Sequence, residues 1–454
     1  MSSPRTGRPT PLSGFPELLP RQRMVEQAVV DSLRATFELH GFCSVETRSV
    51  EPLDQLLRKG ETSNEVYVLR RLQADTDDAD AGVGLHFDLT VPLARYVLEH
   101  AGKLDFPFRR YQIQRCWRGE RPQEGRYREF TQADIDIIGR DQLADDADVE
   151  VTEVMAQALS RLPLPPLTLH LNNRKLIEGY YLGVGVDDPT LVIRAVDKLD
   201  KLGSAGVRAL LVDDAHLSTE QADRCLALAN IDGTDPKFAE QVRALGVHHS
   251  LLDEGLDALA QALDGAGHAN SDSFRVVADL RIARGLDYYT GTVFEGRTEA
   301  HGAMSICAGG RYDALASDGT TTYPGVGISL GITRLLTPLL ARGLLDADRG
   351  VPSCVLVVLP DDDSRAASRE VARRLRARGI ATEVAPSAAK FGRQIRHADR
   401  RGIPYVWFPP TGATQTHQVK DIRSGDQVDA DPDGWLPPAI DLRPRIVASE
   451  EPTR

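Results

Sequence analysis

The chain has 454 residues and a formal charge of −12, because it carries 54 Lys and Arg side chains and 66 Asp and Glu side chains. This excess of acid argues against a protein that holds a polyanion by its overall charge, so any nucleic-acid site must be local. The composition, 41% hydrophobic and 26% charged, is that of a globular protein, and no stretch approaches the roughly 18 apolar residues of a membrane span. A peptide-sized module is excluded, a membrane role is disfavoured, and about three domains are expected.

The five cysteines are odd in number and far apart in the sequence, which does not fit a disulfide framework. The N-terminal segment has no apolar core of the length found in a signal peptide. We therefore expect reduced thiols and a cytoplasmic protein.

The first predicted elements are a helix and, further along, a hairpin. Apolar residues recur at helical spacing over residues 24–39. In residues 108–139 a period of two holds on both sides of a turn-forming centre, which predicts two antiparallel strands joined by a long loop. Polar side chains share one face of each strand: Gln112, Gln114, Cys116, Arg118 and Glu120 on the first, and Gln132, Asp134 and Asp136 on the second. Such a face is costly to bury unless a ligand or internal partners satisfy it.

The loop of this hairpin is rich in arginine. Seven arginines lie between Arg109 and Arg128, and the acids among them are Glu120 and Glu124. The planar guanidinium group suits phosphate oxygens. A solvated basic hairpin is the alternative interpretation, but the polar stripe that continues onto the strands favours a ligand site.

The later elements divide into a helical segment and a second α/β segment. Residues 171–270 resemble an inserted helical unit, in which Ser218 and Gln221 form a capping box. Strand-like segments return around Phe274, and from about Val351 strands and helices alternate, which predicts a small domain with a largely parallel sheet. Residues 365–401 carry eleven basic and three acidic side chains, a local charge of +8 that can hold phosphates.

Five segments, in order, resemble class II aminoacyl-tRNA synthetases and, among these, the histidyl-tRNA synthetase family. They are GFCSVETRSVEP (motif 1), LHFDLTVPLARY, RGERPQEGRYREFTQADIDIIG (motif 2), ARGLDYYTGTVFE (a histidine-specific motif) and GVGISLGITRLL (motif 3). The resemblance implies an α+β catalytic domain with an antiparallel class II sheet flanked by helices (residues 1–170 and 271–345). It also implies a helical insertion (171–270) and a C-terminal α/β anticodon-binding-type domain (351–446).

The implied activity is ATP-dependent ligation of histidine to tRNA(His) through a histidyl-adenylate, by a homodimer that uses ATP as substrate together with Mg²⁺. By resemblance, the catalytic residues are Arg118, at the α-phosphate and the substrate carboxylate, and Arg284, at the α-phosphate. The other residues implied for ATP are Glu120, Arg121, Arg126 and Arg334. The sequence leaves open which residues hold the metal.

The resemblance also implies a histidine site. It places Asp136 and Tyr289 at the imidazole, with Tyr288 nearby, and Asp88, Thr90 and Gln132 at the α-amino group. In an extended segment Asp88 and Thr90 would share a face, whereas Tyr288 and Tyr289 would point to opposite faces of a strand. Only one of the two tyrosines is then expected to contact the ring, and a core position for Tyr288 stays open.

Two alternatives remain at this point. The first is the non-catalytic regulatory subunit of ATP phosphoribosyltransferase, a paralogue with the synthetase-like fold that binds histidine as an effector. That paralogue typically lacks the C-terminal domain and the catalytic arginines, which are present here as Arg118, Arg284 and Arg334. The second is a synthetase for proline, threonine or glycine, against which the RGLDYY segment argues.

Overall fold

The structure, a computed structural model, describes residues 9–57, 65–72, 82–282, 288–302, 304–411 and 415–449. The chain divides into two compact units, Met1–Pro16 with Val30–Leu339 and Glu17–Val29 with Leu340–Arg454. Within the described ranges, no helix combines the length and the apolar character needed to cross a membrane.

The helices differ widely in length, and α7 is broken at Gly203, where φ is 67°. In chain order they are α1 (Pro20–Leu39), α2 (Leu53–Leu56), α3 (Thr90–His100), α4 (Asp146–Ser160), α5 (Arg174–Gly183), α6 (Pro189–Val196), α7 (Leu199–Asp213), α8 (Thr219–Ala229), α9 (Phe238–Ala244), α10 (Ser250–Ala266), α11 (Ile332–Ala341), α12 (Arg365–Ala377) and α13 (Phe391–Arg401).

Within the described residues, the strands form two main sheets and two small pairs. In chain order they are β1 (Cys43–Ser44), β2 (Val50–Pro52), β3 (Val83–Leu85), β4 (Phe108–Trp117), β5 (Glu129–Ile138), β6 (Leu167–Asn173), β7 (Asp232–Gly233), β8 (Phe274–Asp279), β9 (Thr292–Thr298), β10 (Ser305–Ser317), β11 (Thr322–Gly331), β12 (Leu345–Ala347), β13 (Val355–Val357), β14 (Thr382–Val384), β15 (Tyr405–Phe408), β16 (Gln418–Asp421), β17 (Gln427–Asp429) and β18 (Ile446–Ala448).

The main sheet lies in the first unit and has nine strands in the order β1-β4-β5-β11-β10-β9-β6-β8-β7. All neighbours are antiparallel except β1 with β4 and β6 with β8, which are parallel. One face is apolar: Ile135 and Ile137 of β5 pair with Ile328 and Val326 of β11, and all four are buried. The alternate residues are polar on β5 and small on β11, where a serine lies between glycines, and they form the opposite face.

The helices α4 and α10 pack against each other and contact strands of the main sheet. Buried apolar residues of α4 include Val151, Val154 and Met155. Arg311 of β10 shares the apolar face with Val326 and forms a buried ion pair with Asp148 of α4, with 2.9 Å between Nε and Oδ1. The helices therefore support the sheet from one side and leave the polar face to the site.

The second unit contains a five-stranded sheet in the order β14-β13-β15-β16-β17. The pairs β13–β14 and β13–β15 are parallel, and β16 and β17 continue the sheet in antiparallel pairing. Its core includes Val355, Val357, Leu375 and Trp407, all fully buried.

These elements confirm the predicted early helix, the long hairpin, the capping box and the alternation of strands and helices in the C-terminal segment. The five cysteines are free thiols, of which Cys43 is exposed. The main sheet is mixed rather than wholly antiparallel, because β1 and β8 enter it in parallel. Helices α5 to α10 lie within residues 174–266 of the first unit, and the bounds of an inserted domain stay a prediction.

Candidate active site

The polar face of the main sheet is built by three neighbouring strands. Residues of β4 pair with residues of β5 as Gln114 with Gln132, Gln112 with Asp134 and Arg110 with Asp136. On the other side of β5, strand β11 places Gly331, Ser329 and Gly327 opposite the same three residues. Directly paired residues of an antiparallel sheet share a face, so these side chains converge. Gly327 leaves room for Asp136, since a Cβ atom at that position would lie 2.1 Å from Asp136 Oδ1.

Three arginines, Arg118, Arg126 and Arg334, line a cavity of about 180 Å³ at one end of this face, which we call the arginine cleft. Among the described residues lining it, Glu120 is the one acid, and its Oε2 lies 3.5 Å from Arg126 Nη1. The cleft therefore carries an excess of positive charge, which favours an anionic ligand.

Arg334 is held in place by backbone carbonyls. Its Nε donates to the Gly125 carbonyl at 2.9 Å, and its Nη1 donates to the Ser305 carbonyl at 3.1 Å. Burial lowers the pKa of Arg334, and the positive charges of Arg118 and Arg126 lower it further. Because like charges are gathered here without a matching set of acids, an anion bound in the cleft would relieve their repulsion.

Arg118 is likewise held in position. Its Nε donates to the Phe87 carbonyl at 3.0 Å, and its guanidinium carbon lies 5.0 Å from the centre of the Phe130 ring. Stacking on an aromatic face and a hydrogen bond together fix the direction of a guanidinium group. Of the other arginines predicted for this site, Arg121 is exposed and does not line the cleft. Arg284 lies outside the described residues.

A second, smaller cavity of about 40 Å³ adjoins the cleft along the sheet, and we call it the carboxylate pocket. Both cavities are lined by Ser329 and Ala308. The polar residues lining the pocket are Thr90, Asp134, Asp136, Tyr288, Tyr289, Tyr312 and Ser329. Two carboxyl groups on one wall suit a ligand that donates hydrogen bonds or carries positive charge.

Asp136 is tied into the sheet by two partners. Arg110 Nη2 lies 2.6 Å from its Oδ2, and the Tyr312 hydroxyl donates to its Oδ1 at 2.8 Å. Arg110 is fully buried. Burial raises the pKa of Tyr312 well above its usual value, and the Asp136 carboxylate adds to the rise, so the phenol stays protonated as a donor. Neither Arg110 nor Tyr312 was predicted from the sequence as a residue of the site.

The expectation that Tyr288 and Tyr289 point to opposite faces of a strand is wrong, because the two residues precede β9 and are not part of a strand. Both line the carboxylate pocket, with their ring centres 4.1 Å apart. Tyr288 is 47% exposed, which excludes a core position. The Tyr289 ring lies against Gly310, where a Cβ atom would come within 2.7 Å of it.

The expectation that Asp88 and Thr90 share a face of an extended segment is also wrong. Thr90 is the first residue of α3, and Asp88 Oδ1 accepts a hydrogen bond from the Val91 amide at 3.0 Å. This is the pattern of an Asp that caps the start of a helix. Thr90 lines the carboxylate pocket, whereas Asp88 is buried and lines neither cavity.

Gln132 is oriented by its neighbours on the polar face. Its Nε2 donates to Ser329 Oγ at 2.6 Å, and its Oε1 lies 3.1 Å from Cys116 Sγ. The side chain lines the arginine cleft beside the shared wall. Gln132 therefore lies where the two cavities meet.

The basic region of the second unit is only partly available to a ligand. The arginines of α12 contact the protein itself: Arg373 pairs with Glu370, Arg374 with Asp431 and Asp433, and Arg376 donates to the Thr382 carbonyl. On α13, Arg393, Arg396 and Arg400 are exposed, and their side chains form no ion pair within the described part of the chain. Arg373, Arg374 and Arg376 of α12 are thus occupied by contacts within the protein, and α13 carries the free basic face.

Two known protein families match this chain, one in its larger N-terminal part and one in its C-terminal part. Residues 14–335 match the family described as "Histidyl-tRNA synthetase", and residues 353–433 match "Anticodon binding domain". A histidine–tRNA ligase of Cutibacterium acnes is 57% identical over 450 residues, which is 97% of this chain and 99% of that protein. A histidine–tRNA ligase of Micrococcus luteus is 53% identical over 98% of this chain and 100% of its own length.

Solved structures agree with this match. The crystal structure of histidyl-tRNA synthetase from Nostoc sp. PCC 7120 is 32% identical, with a TM-score of 0.83, and covers 94% of this chain and 98% of that one. An ATP phosphoribosyltransferase regulatory subunit/histidyl-tRNA synthetase from Bacillus halodurans C is 22% identical with a TM-score of 0.68, a likeness of fold alone.

Proposed function

The chain belongs to the histidyl-tRNA synthetase family and is a ligase that charges tRNA with histidine, and we propose that it does so in two steps on the polar face of the main sheet. The similarity to histidine–tRNA ligases extends over nearly the whole chain and includes the anticodon-binding region. It supports tRNA charging and does not support the regulatory subunit as an alternative. One observation carries the proposal for the site, namely that an arginine cleft adjoins a carboxylate pocket on one sheet face.

In the first step, the carboxylate of histidine attacks the α-phosphate of ATP and releases pyrophosphate. The attacking group is already anionic, so positioning and charge stabilisation supply the catalysis and no strong base is needed. Arg118 contacts the α-phosphate and the histidine carboxylate, and Arg284 acts at the same phosphate. Arg126 and Arg334 hold the outer phosphates, and Glu120 faces the adenine. Arg121 belongs to the same loop and reaches ATP only by a change of its side-chain conformation.

The carboxylate pocket binds the amino acid. A neutral imidazole presents one donor and one acceptor, so it needs an acidic partner and a hydroxyl. Asp136 and Tyr289 supply these groups, and Tyr288 covers the open side of the pocket. Thr90 and Gln132 approach the α-amino group, and Asp88 acts there from behind Thr90 at the start of α3.

A magnesium ion would be bound mainly by ATP itself. Within the described ranges there is no group of three or more His, Cys, Asp or Glu side chains that could hold a metal ion. Magnesium is commonly held by substrate phosphates with one or two carboxylates, so the phosphates of ATP would supply most of its ligands. The ion would neutralise phosphate charge, while the arginines orient the α-phosphate.

In the second step the histidyl group passes to a ribose hydroxyl of the terminal adenosine of tRNA(His), and AMP leaves. The exposed α13 face, with Arg393, Arg396 and Arg400, contacts phosphates of the anticodon arm. In this proposal the chain has three domains: a catalytic domain (residues 1–170 and 271–345), a helical insertion (171–270) and a C-terminal domain (351–446). The enzyme acts as a homodimer in the cytoplasm.

The test is histidine-dependent exchange of labelled pyrophosphate into ATP by the purified chain. Arg118→Ala should lower the exchange rate about 100- to 1,000-fold, the usual cost of removing one preorganised charge-stabilising group. Arg115→Ala is the matched control. Arg115 lies on β4 three residues before Arg118, on the opposite face of the sheet, where it is exposed and pairs with Glu129. Its replacement should therefore leave the exchange rate unchanged. Absence of exchange with histidine, ATP and magnesium present would refute the proposed function.

A further inference from the structure

Asp134 is a buried carboxyl group in the carboxylate pocket that no role described so far uses. It lies on β5 between Gln132 and Asp136, on the same face as both. It is 3% exposed and lines the pocket together with Thr90 and Tyr289. A buried acid in such a place requires a partner that stabilises its charge.

The hydrogen bonds of Asp134 are incomplete. It is hydrogen bonded to Ser329, whose Oγ in turn accepts from Gln132 Nε2 at 2.6 Å. Its second oxygen, Oδ1, is buried and has no hydrogen-bond partner among the residues that the structure describes. Leaving a buried acceptor of this kind unpaired is costly, so an acceptor facing a ligand pocket indicates a ligand donor.

Asp136, two residues further along, is in a different position. Both of its oxygens already have protein partners, since Arg110 lies at Oδ2 and Tyr312 donates to Oδ1. The positive charge of Arg110 also stabilises the ionised form of Asp134, whereas the negative charges of Asp136 and Asp88 destabilise it. The local balance is therefore negative and favours a cationic donor from the substrate.

The position of Asp134 along β5 indicates which group of the substrate lies beside it. Residues two apart on a strand are separated by roughly 6.6 Å, so Gln132, Asp134 and Asp136 mark successive depths from the arginine cleft into the pocket. A histidine whose carboxylate reaches Arg118 and whose ring reaches Asp136 has its α-carbon between these ends. The substituent of the α-carbon that can donate hydrogen bonds is the ammonium group.

We propose that Asp134 binds the α-ammonium group of the amino acid substrate through Oδ1, with Ser329 and Gln132 holding its carboxyl group in place. This inference rests on the proposed function and extends it. The electrostatics agree: burial raises the pKa of Asp134 to about 7, and an adjacent ammonium opposes that rise. Substrate binding and ionisation of Asp134 then support each other.

Two analogues separate an ammonium contact from a ring contact. Histidinol keeps the ammonium and the imidazole but lacks the carboxylate, and imidazolepropionate lacks the ammonium. Calorimetric titration of the full chain without ATP should show that Asp134→Asn weakens histidinol binding about 10- to 100-fold, the range for a hydrogen bond to a charged group. Imidazolepropionate should bind both proteins equally. A similar loss for both analogues, or a loss for neither, would overturn the proposal.

A measurement on the unsubstituted chain covers the case in which the variant does not fold. At pH 7 histidinol binding should release up to about half a proton from Asp134, measured in two buffers of different ionisation enthalpy, and imidazolepropionate should not release it. The charged and titratable groups around Asp134 are common to both titrations: Arg110, Asp136, Asp88, Tyr289 and Tyr312. Equal release with both analogues would contradict the ammonium contact.

The exchange assay separates this inference from the function on which it rests. Histidine-dependent exchange is measured first with the unsubstituted chain, and its absence counts against the proposed function itself. With exchange established, Asp134→Asn should raise the KM for histidine about 10- to 100-fold and leave the KM for ATP unchanged. An unchanged KM for histidine would refute the role of Asp134 alone.

Discussion

The Asp134→Asn substitution should stabilise the folded protein in the absence of ligand, although it should weaken histidine binding. Burial raises the pKa of Asp134 from 3.8 to about 7, so the folded state disfavours the ionised carboxylate. A rise of this size corresponds to about 4 kcal/mol of folding free energy at pH 8, where the carboxylate is ionised in the folded and the unfolded states. An asparagine amide has nearly the same shape and no charge, so the variant avoids this cost.

The gain in stability from Asp134→Asn should decrease as the pH falls. As the pH falls below 7, the folded protein takes up a proton at Asp134 while the unfolded chain, with a carboxyl pKa of 3.8, stays ionised. The unsubstituted protein therefore regains stability, and the advantage of the variant should shrink to about 2 kcal/mol at pH 5.5.

Urea unfolding followed by circular dichroism, at one protein concentration and without ligands, measures this difference at pH 8 and pH 5.5. Asp187→Asn, at an exposed position, is the control and should leave the unfolding free energy unchanged at both pH values. A lower stability of Asp134→Asn than of the unsubstituted chain at pH 8 would contradict the cost assigned to the buried carboxylate. An equal difference between the two proteins at both pH values would contradict the raised pKa of Asp134.

Two further predictions concern the pocket and the tRNA. Tyr312→Phe removes the donor to Asp136 Oδ1 and should raise the KM for histidine about tenfold in the exchange assay, with the KM for ATP unchanged; equal effects on both would indicate a general loss of structure. Replacing Arg396 and Arg400 of α13 by alanine should make the slope of log K for tRNA binding against log salt concentration less steep by about two. Pyrophosphate exchange in the absence of tRNA should not change. An unaltered salt dependence would place the phosphate contacts elsewhere.

The parts of the site that the sequence predicted are those encoded by local periodicity. The alternation along β4 and β5 identified the polar face, because side chains two apart on a strand share a face whatever the partner strand is. The alternation of strands and helices from about Val351 was predicted in the same way, and the structure has α12 and α13 between strands of the second sheet.

The parts that the sequence did not predict depend on neighbours distant in the chain or on local departures from a strand. Tyr312 contacts Asp136 across 176 residues of sequence, and no local pattern records that pairing. Tyr288 and Tyr289 share a pocket because the chain turns before β9, which period-two reasoning does not foresee. On α12, arginine spacing alone could not show that Arg374 binds the acids of a loop 57 and 59 residues later.

The charge arrangement of the site follows from the charges of the molecules that it has to hold. Histidine presents an ammonium group and a carboxylate on one carbon atom, and ATP presents phosphates to that carboxylate. A single cavity with one sign of charge would repel part of this pair. The sheet instead places three arginines in one cavity and two acids in the next, with Ser329 in the wall between them. Because Gln132 and Asp134 both bond to Ser329, the hydroxyl links the region proposed for phosphate to the region proposed for the ammonium group.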